Sequence, residues 1–409
     1  MNNNDHWFSL KPHVYVEFGQ RGDIFIYNTE NGKYTETNVA EAVSLISDMY
    51  KPENLGVTVL SSEMSKKLEI IDFLKSLNEN DMCDIVEIEN ISYRPVVLIP
   101  VLNLEKDIDN PKNKEPGDDL LSYMLELNLF INDSCSRDCK YCSSYRKQVR
   151  CCTASNSGAE LSVGTIESVL NQIKYSGINR INVTGGNITE YGNKEKLFEL
   201  LKDLSPITCY EIHYKNFEPG KFPENCRMNL TTTFPVDRSA LDRALSGMRK
   251  SEAPVSFIIE NEETYYETEK LIEEFEIERF EILPFYNGRN LDFFENNIYT
   301  NKEDIFSTRL KMREIFRNQK LNSNYFGNLN VLPDGTVKAD FNADSIGNVK
   351  TDSMLEILYR EMTRNTAWRR VRDSKPCSEC LYRRICQSPG NYETAIGKPN
   401  LCNIVKNRL

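Results

Sequence analysis

The chain has 409 residues, enough for two or three domains with cores of their own, and its 40% hydrophobic and 27% charged residues are an ordinary soluble composition. A formal net charge of −11 argues against a nucleic-acid partner, which selects a basic face, while leaving room for a local basic groove. The 12 cysteines fall largely at short spacings, which reads as metal ligation in a reducing compartment rather than as disulfides. The polar start Met1-Asn2-Asn3-Asn4-Asp5 lacks the apolar core of a signal peptide. The longest apolar run, near Pro95 to Leu104, is too short to span a bilayer. A cytoplasmic protein with no membrane partner is expected.

Val14-Tyr15-Val16-Glu17-Phe18 and Asp23-Ile24-Phe25-Ile26-Tyr27 flank Gln20-Arg21-Gly22, a β-hairpin pattern, and Asn31-Gly32 marks a second turn before Lys33-Tyr34-Thr35. Residues 38–50 carry Val39, Ala42, Val43, Ile46 and Met49 on one helical stripe, and Leu68, Ile71, Phe73, Leu74 and Leu77 mark a second helix. Three antiparallel strands followed by helices resemble, in architecture rather than in motif, the winged-helix-like peptide-recognition domains. The resemblance implies that residues 1–104 bind a leader peptide as an added strand at a sheet edge. The alternative is an extension that only buttresses the rest of the chain. Residues 105–119, rich in Lys, Asp, Asn and Pro, read as a linker.

An apolar strand at 125–131 delivers Cys135-Ser-Arg-Asp-Cys139-Lys-Tyr-Cys142. Three soft thiolates on one short loop can converge on an iron–sulfur cluster, and three ligands leave one iron of a four-iron cube open to a small chelating ligand. A zinc knuckle, the alternative, draws on two separated pairs of ligands. The spacing Cys-x3-Cys-x2-Cys, with Tyr141 just before the last cysteine, resembles the radical S-adenosylmethionine superfamily. The resemblance implies a [4Fe–4S] cluster whose open iron chelates S-adenosylmethionine and whose electron releases a 5′-deoxyadenosyl radical. It also implies a low-potential electron donor such as flavodoxin or ferredoxin.

Further strands are expected at 178–183, 207–214, 228–232, 255–259 and 280–283, with a helix capped by Ser162, one through Leu197 to Leu204, and others around Leu241 and Leu271. Repeated βα units make a parallel sheet with right-handed crossovers. Six of them over residues 120–300 resemble the superfamily's partial (β/α)6 TIM-like barrel, an α/β fold whose chemistry sits at the C-terminal strand ends. The second strand runs into Gly185-Gly186-Asn187. A glycine pair there permits close backbone approach to a ligand. The resemblance implies that these residues meet the methionine amino group, with Asn187 where an acid is usual. It also makes Thr231, Thr232 and Asn261 cofactor contacts.

Cys377, Cys380, Cys386 and Cys402 can fully ligate a further [4Fe–4S] cluster, with a structural zinc site as the alternative. Asn330 to Asp340, Gly347-Asn348-Val349 and an amphipathic helix around Leu355 and Leu358 resemble the SPASM extension, so residues 301–409 read as a SPASM-like auxiliary cluster domain. That family ligates two auxiliary clusters. Here Asp340 and Gly390 stand where two of its cysteines belong, which leaves one auxiliary cluster. Asp340 is either a solvated hairpin carboxylate or a cavity-facing catalytic acid–base group. The three histidines read as structural.

These resemblances imply a radical S-adenosylmethionine enzyme that modifies a ribosomally made precursor peptide by crosslinking, epimerisation or another oxidation. Two alternatives stay open: a maturase acting on a residue of a folded enzyme, as sulfatase-activating relatives do, and a non-catalytic scaffold that presents a peptide.

Overall fold

The structure, a computed structural model, describes residues 4–90, 93–99, 120–137, 139–224, 226–248 and 254–404; the expected linker 105–119 lies outside them. The first six strands are β1 (His6–Leu10), β2 (Val14–Phe18), β3 (Ile24–Asn28), β4 (Tyr34–Thr37), β5 (Val57–Leu60) and β6 (Cys83–Glu87). They form two antiparallel sheets, β2-β3-β4 and β5-β1-β6, accompanied by the helices Ala40–Met49 and Leu68–Glu79. The hairpin and both helices follow the sequence pattern. The β5-β1-β6 sheet does not: its strands are 4 or 5 residues long and carry Glu87, Asp84 and His6 among their apolar positions, so no alternation marks them.

Strand β3 is buried on both faces, and its two faces serve different cores. Ile24 and Ile26 pack with Leu45, Ile46, Phe73 and Leu74 of the two helices. Phe25 and Tyr27, on the opposite face as the two-residue strand period requires, pack with Ile305, Ile315, Leu381, Tyr382 and Ile385. Ion pairs rim this second core: Arg383 reaches Glu17 at 2.6 Å and Lys302 reaches Glu36 at 2.8 Å. The N-terminal sheet is thereby a layer between its own helices and the C-terminal cysteine region.

The remaining strands are β7 (Glu126–Phe130), β8 (Arg180–Thr184), β9 (Thr208–His213), β10 (Arg227–Thr233), β11 (Val255–Ile259), β12 (Phe280–Pro284), β13 (Asn328–Val331), β14 (Thr336–Lys338) and β15 (Gly347–Asn348). They join one mixed sheet in the order β12-β11-β10-β9-β8-β7-β13-β14-β15. Strands β7 to β12 are parallel and adjacent in sequence order, with helices Val163–Gln172, Lys194–Leu201, Arg238–Ser246 and Glu262–Glu274 between them. This is a mixed α/β fold around a large central sheet. The C-terminal strands extend it, because β13 pairs in parallel with β7.

The two faces of this sheet differ in kind. Leu127, Leu129, Ile181, Val183, Ile212, Leu230 and Phe257 pack with Ile166, Val169, Leu197, Leu201, Leu241 and Leu271 of the covering helices. The alternate residues are polar yet buried: Asn128, Asn182, Glu211, Asn229, Ser256 and Asn330. They bond one another across strands, Asn182 Nδ2 to Asn128 Oδ1 at 2.7 Å, Asn128 Nδ2 to Asn330 Oδ1 at 3.1 Å and Ser256 Oγ to Asn229 Oδ1 at 3.1 Å. Among the described residues, no helix is long and apolar enough to cross a membrane.

Phe25 is fully buried between the N-terminal sheet and the C-terminal region. Phe25→Ala is expected to cost about 3–5 kcal/mol, the usual range for emptying a buried phenylalanine site. Denaturant unfolding followed separately by a probe in each region checks it. Both transitions should move together.

Candidate functional site

The cysteine loop leaves β7 at its C-terminal end, where parallel sheets of this kind hold their ligands. Cys142 opens the one-turn helix Cys142–Tyr145, and its N–H bonds the Cys139 carbonyl at 3.0 Å. The sulfurs face donors. Ala154 N–H reaches Cys142 Sγ at 3.2 Å, and Arg137 N–H and Asn216 Nδ2 each reach Cys135 Sγ at 3.4 Å. Such donors favour thiolates. A bond from the Cys139 thiol, helped by Ala154 N–H, outweighs burial and holds the Cys142 thiol below its usual range. The same bond and burial push the Cys139 thiol up. Among the described residues, no three His, Cys, Asp or Glu side chains are gathered closely enough to hold one metal ion. The thiols of a four-iron cube bind separate irons and stand further apart than the donors of a single ion. Tyr141 backs the loop, its ring 5.0 Å from that of Phe285, with Lys140 Nζ 4.7 Å above it.

Gly185 and Gly186 serve a close approach, and what they approach is the stem of the cysteine loop. Gly186 N–H bonds Asn132 O at 3.1 Å and Asn187 N–H bonds Ser134 O at 2.8 Å. A Cβ on Gly186 would stand 2.1 Å from the Ser134 carbonyl oxygen, so only glycine fits. The Asn187 side chain is already committed. Its Oδ1 accepts the Thr189 N–H at 3.1 Å and the Thr189 hydroxyl at 2.8 Å, while its Nδ2 donates to Glu190 Oε1 at 2.8 Å. Glu190 also accepts from Ser136 Oγ of the loop at 3.3 Å. A carboxylate thus stands on this rim three residues beyond Asn187. An acid so soon after the glycine pair is the sequence signal for it.

Thr231 and Thr232 are adjacent on β10 and so point to opposite faces. Thr231 shares the polar face with Asn229 and lies beside Cys152, whereas Thr232 shares the apolar face with Leu230. Both hydroxyls, together with Asn132 Oδ1 and Thr153 Oγ1, are buried without a hydrogen-bond partner. Each buried polar atom left without a partner costs about 1–3 kcal/mol. Asn261, after β11, is exposed and caps helix Glu262–Glu274 through Thr264 N–H at 2.9 Å. His213 is neutral, its pKa lowered by burial to about 3, and bonds the Thr233 hydroxyl at 3.0 Å.

The stretch after the loop, which carries no functional signal in the sequence, folds back beneath it. Gln148 pairs both ways with the Tyr286 backbone, at 2.9 and 2.8 Å. Arg150 reaches across the polar sheet face to Glu211 Oε1 at 2.5 Å and also bonds Glu126. The chain then returns to the loop: Cys151 O accepts from Thr184 Oγ1 at 3.3 Å, and Asn156 Oδ1 takes the Cys135 N–H at 3.3 Å. Asp133 collects Ser155 and Ser157, and those bonds overcome burial to hold its carboxyl below the usual range. Glu211 is the one acid in β9, among Thr208, Cys209, Tyr210, Ile212 and His213, and nothing in the sequence marks its pairing with Arg150.

At the C-terminal end, Cys386 lies within electrostatic reach of Cys377, Cys380 and Cys402, and Cys377 within reach of Cys402. Arg372 Nη1 reaches Cys377 Sγ at 3.7 Å and its Nη2 pairs with Glu393 at 2.9 Å. Burial pushes the Cys386 thiol up to about 11. Asp340 is not the solvated hairpin carboxylate that its sequence context suggests. It is 1% exposed, paired with Arg370 at 2.9 Å, and accepts the Asn342 N–H at 2.8 Å. It lines a cavity of about 170 Å³ shared with Glu126, Asn128, Arg150, Tyr325 and Asn330.

No family model matches the chain, and no curated protein matches it. Among solved structures it is similar to Streptococcus suis SuiB bound to S-adenosylmethionine, at 10% identity over 97% of this chain and 98% of that one with a TM-score of 0.46. It is similar also to SuiB bound to precursor peptide SuiA, at 12% identity over 97% and 98% with a TM-score of 0.48, and to SuiB itself, at 11% over 96% and 98% with 0.47. At these values the likeness is loose, and the site's chemistry rests on this chain's own residues.

Arg150→Leu should cost roughly 3–5 kcal/mol, because it leaves Glu211 charged and unpaired in the interior. In the wild type, burial already raises the Glu211 pKa above its ordinary value of 4.5, against the pull of Arg150. An acid whose folded pKa is raised binds more protons folded than unfolded, so stability falls as pH rises through that window. Without Arg150 the window should widen upward. Urea midpoints measured from pH 5 to 9 check it: the deficit of the variant should shrink toward the acid end.

Proposed function

We propose that this chain is a radical S-adenosylmethionine enzyme that modifies a precursor peptide. One observation carries the reading: three thiols supplied with N–H donors on one loop at the C-terminal end of the first parallel strand, on a rim with partnerless buried polar groups. On this reading the sheet is a partial (β/α)6 barrel, and Cys135, Cys139 and Cys142 hold a [4Fe–4S] cluster with one open iron. The chemistry supplied by such a cluster and S-adenosylmethionine together is the reductive release of methionine and a 5′-deoxyadenosyl radical, which takes hydrogen from a substrate carbon.

The chain's own residues prepare that chemistry. Asn216 and the N–H groups of Arg137 and Ala154 stabilise thiolate charge. Tyr141, Tyr145 and Phe285 exclude water from one side of the loop. Thr231 and Asn132 offer unpaired oxygens to the cofactor, while Glu190 provides the negative charge for its ammonium in place of Asn187. Gly185 and Gly186 act by seating the loop. Asn261 is left with a capping role. The four C-terminal cysteines hold an auxiliary cluster, with the Arg372 guanidinium beside it, and electrons from a donor such as flavodoxin or ferredoxin enter the chain.

The peptide's docking strand is β2 rather than β4. Thr35 of β4 is bonded to Ser76 at 2.8 Å and to Asn80 at 3.2 Å, so helix Leu68–Glu79 and its C-cap cover that side. β2 is an edge strand and lines a groove of about 330 Å³ with Tyr50, Met312, Phe316, Arg383 and Arg384. Its unpaired backbone groups can receive an added strand, and the paired arginines favour one carrying an acidic side chain.

Anaerobic reconstitution should give about eight irons in two four-iron clusters, and changing Cys135, Cys139 and Cys142 to Ala should remove about half. Reductant and S-adenosylmethionine should then yield 5′-deoxyadenosine from the wild type and none from Cys142→Ala. A zinc-only protein without charge-transfer absorbance overturns the reading. Equal activity of wild type and Cys142→Ala favours a peptide-presenting scaffold.

For the peptide, Phe18→Asp alters an exposed ring at the groove. It should weaken leader binding about tenfold, about 1.4 kcal/mol. Fluorescence anisotropy with a labelled leader measures it, and unchanged affinity removes β2 from the contact.

A further inference from the structure

We propose that Asn216 is a positioning residue that raises the reduction potential of the loop cluster, by relaying the charge of Arg137 to the Cys135 sulfur. The inference rests on the iron–sulfur reading of Cys135, Cys139 and Cys142. Asn216 lies just past β9 and is buried. Its Nδ2 donates to Cys135 Sγ at 3.4 Å, and its Oδ1 accepts from Arg137 Nε at 2.9 Å. The second bond settles the direction of the first. A guanidinium only donates, so the amide turns its oxygen to Arg137 and its NH2 to the sulfur. Arg137 is itself held by a further bond, from Nη2 to the Lys215 carbonyl at 2.9 Å. Among the described residues, Cys135 Sγ is the one loop sulfur met by a side-chain N–H, whereas Cys142 Sγ has the backbone N–H of Ala154.

Three further contacts keep the amide there. Asn216 closes the short helical turn Tyr214–Asn216 at the C-terminal end of β9. His213 caps that turn: its Nδ1 accepts the Lys215 N–H at 3.3 Å, and its Nε2 bonds the Thr233 hydroxyl of β10 at 3.0 Å. The Tyr214 hydroxyl accepts the Asp237 N–H at 2.8 Å, which ties the turn to the start of helix Arg238–Ser246. The amide is thus fixed at both ends and on a fixed turn. Reducing the cluster adds one negative charge, part of which falls on its sulfurs. An N–H aimed at a sulfur binds more strongly as that sulfur grows more negative, so the bond favours the reduced form. The guanidinium on the amide oxygen polarises the N–H and strengthens it further. The N–H groups of Arg137 and Ala154 at the other sulfur contacts are backbone and stay whatever the side chain. Asn216 is the donor that a side-chain change removes.

The test is redox potentiometry of the reconstituted full-length chain, followed by EPR of the reduced clusters. The loop cluster is told apart from the auxiliary one as the signal that S-adenosylmethionine perturbs. Asn216→Leu keeps the volume and removes both bonds. It should lower the reduction equilibrium constant of the loop cluster about tenfold, about 59 mV for one electron, and leave the auxiliary cluster unmoved. Arg137→Gln, which keeps the backbone N–H to Cys135, should shift the loop cluster the same way by less. The double variant should match Asn216→Leu alone, because Arg137 acts through the amide. A loop-cluster potential unchanged in Asn216→Leu, with both clusters present, overturns the proposal and leaves the iron–sulfur reading intact. Shifts that simply add in the double variant overturn the relay from Arg137. A wild type that takes up no iron–sulfur cluster ends both readings. If Asn216→Leu does not fold, Asn216→Asp keeps the shape and the bond to Arg137 but offers the sulfur no N–H. A lowered potential there upholds the proposal, and an unchanged one overturns it.

Discussion

The bond between Arg150 and the two acids beneath it is the constraint on which the site depends. A parallel sheet covered by helices on one face can be apolar there, and this one is. Its other face carries Asn128, Asn182, Glu211, Asn229 and Ser256, polar groups that are buried all the same. Such a face is stable only if it is satisfied from within, because water is not there to do it. The amides satisfy one another across strands. Glu211, fully buried, is instead met by a cation brought in from elsewhere, which binds its Oε1 while its Oε2 has no partner. Arg150 is that cation, and it rides on the segment after the cysteine loop. The demand of the sheet's interior thus fixes the course of residues 146–157, and that course sets Ala154 and Asn156 against the cysteine loop. Electrostatic satisfaction at the centre of the fold and positioning of the thiols at its edge are one problem with one solution.

The same economy joins the two ends of the chain. Strand β3 is a short run of apolar residues, and in an isolated small domain one face of it would meet water. Here Phe25 and Tyr27 meet Tyr382, Leu381 and Ile385 instead. Those residues sit between Cys380 and Cys386, so the N-terminal sheet walls the C-terminal cysteine site directly. A peptide strand added to β2 would lie against Arg383 and Arg384 of this same segment. β2 is joined to this segment by the Arg383–Glu17 pair, and β3 by the contact of Phe25 with Tyr382.

The sequence is most legible where local chemistry repeats. All six parallel strands stand at the expected places, because the residues they turn toward the covering helices are apolar and turn residues bound the runs. The hairpin of β2 and β3 is marked by its turn. The cysteine spacings name their loops outright. The β5-β1-β6 sheet escapes the sequence pattern because its strands are short and mixed in polarity. Asp340 looks solvated in the sequence because a residue after a glycine turn usually is. Its burial depends on Arg370, 30 positions away, and no local pattern carries that. Arg150 and Glu211, 61 positions apart, are illegible for the same reason. Charges buried as pairs are decided by tertiary geometry, and each member alone resembles a surface residue.

The pair of Asp340 and Arg370 also suggests how a chain can do without metal at a given position. By the resemblance of the C-terminal region to SPASM extensions, Asp340 and Gly390 stand where cysteines would hold iron. A cluster there would tie the β14 hairpin turn to the chain near residue 390. In this structure Asp340 is tied to Arg370, and Arg370 stacks over Tyr325 with its guanidinium 5.1 Å from the ring. Tyr325 bonds Asn391 at 2.7 Å, and Gly390 N–H is held by Glu393 at 2.9 Å. The chain near residue 390 is therefore fastened to the hairpin through Asn391, Tyr325, Arg370 and Asp340 in series. An ion pair with its carboxylate buried fixes geometry well even where it adds little net stability. A cavity of about 170 Å³ lies beside Asp340. Its walls include Arg150 and Glu126, so the cavity abuts the same charged cluster that orders the cysteine loop. The C-terminal extension and the loop site meet at one buried polar junction, and the side chains that line it on one side help to define the other.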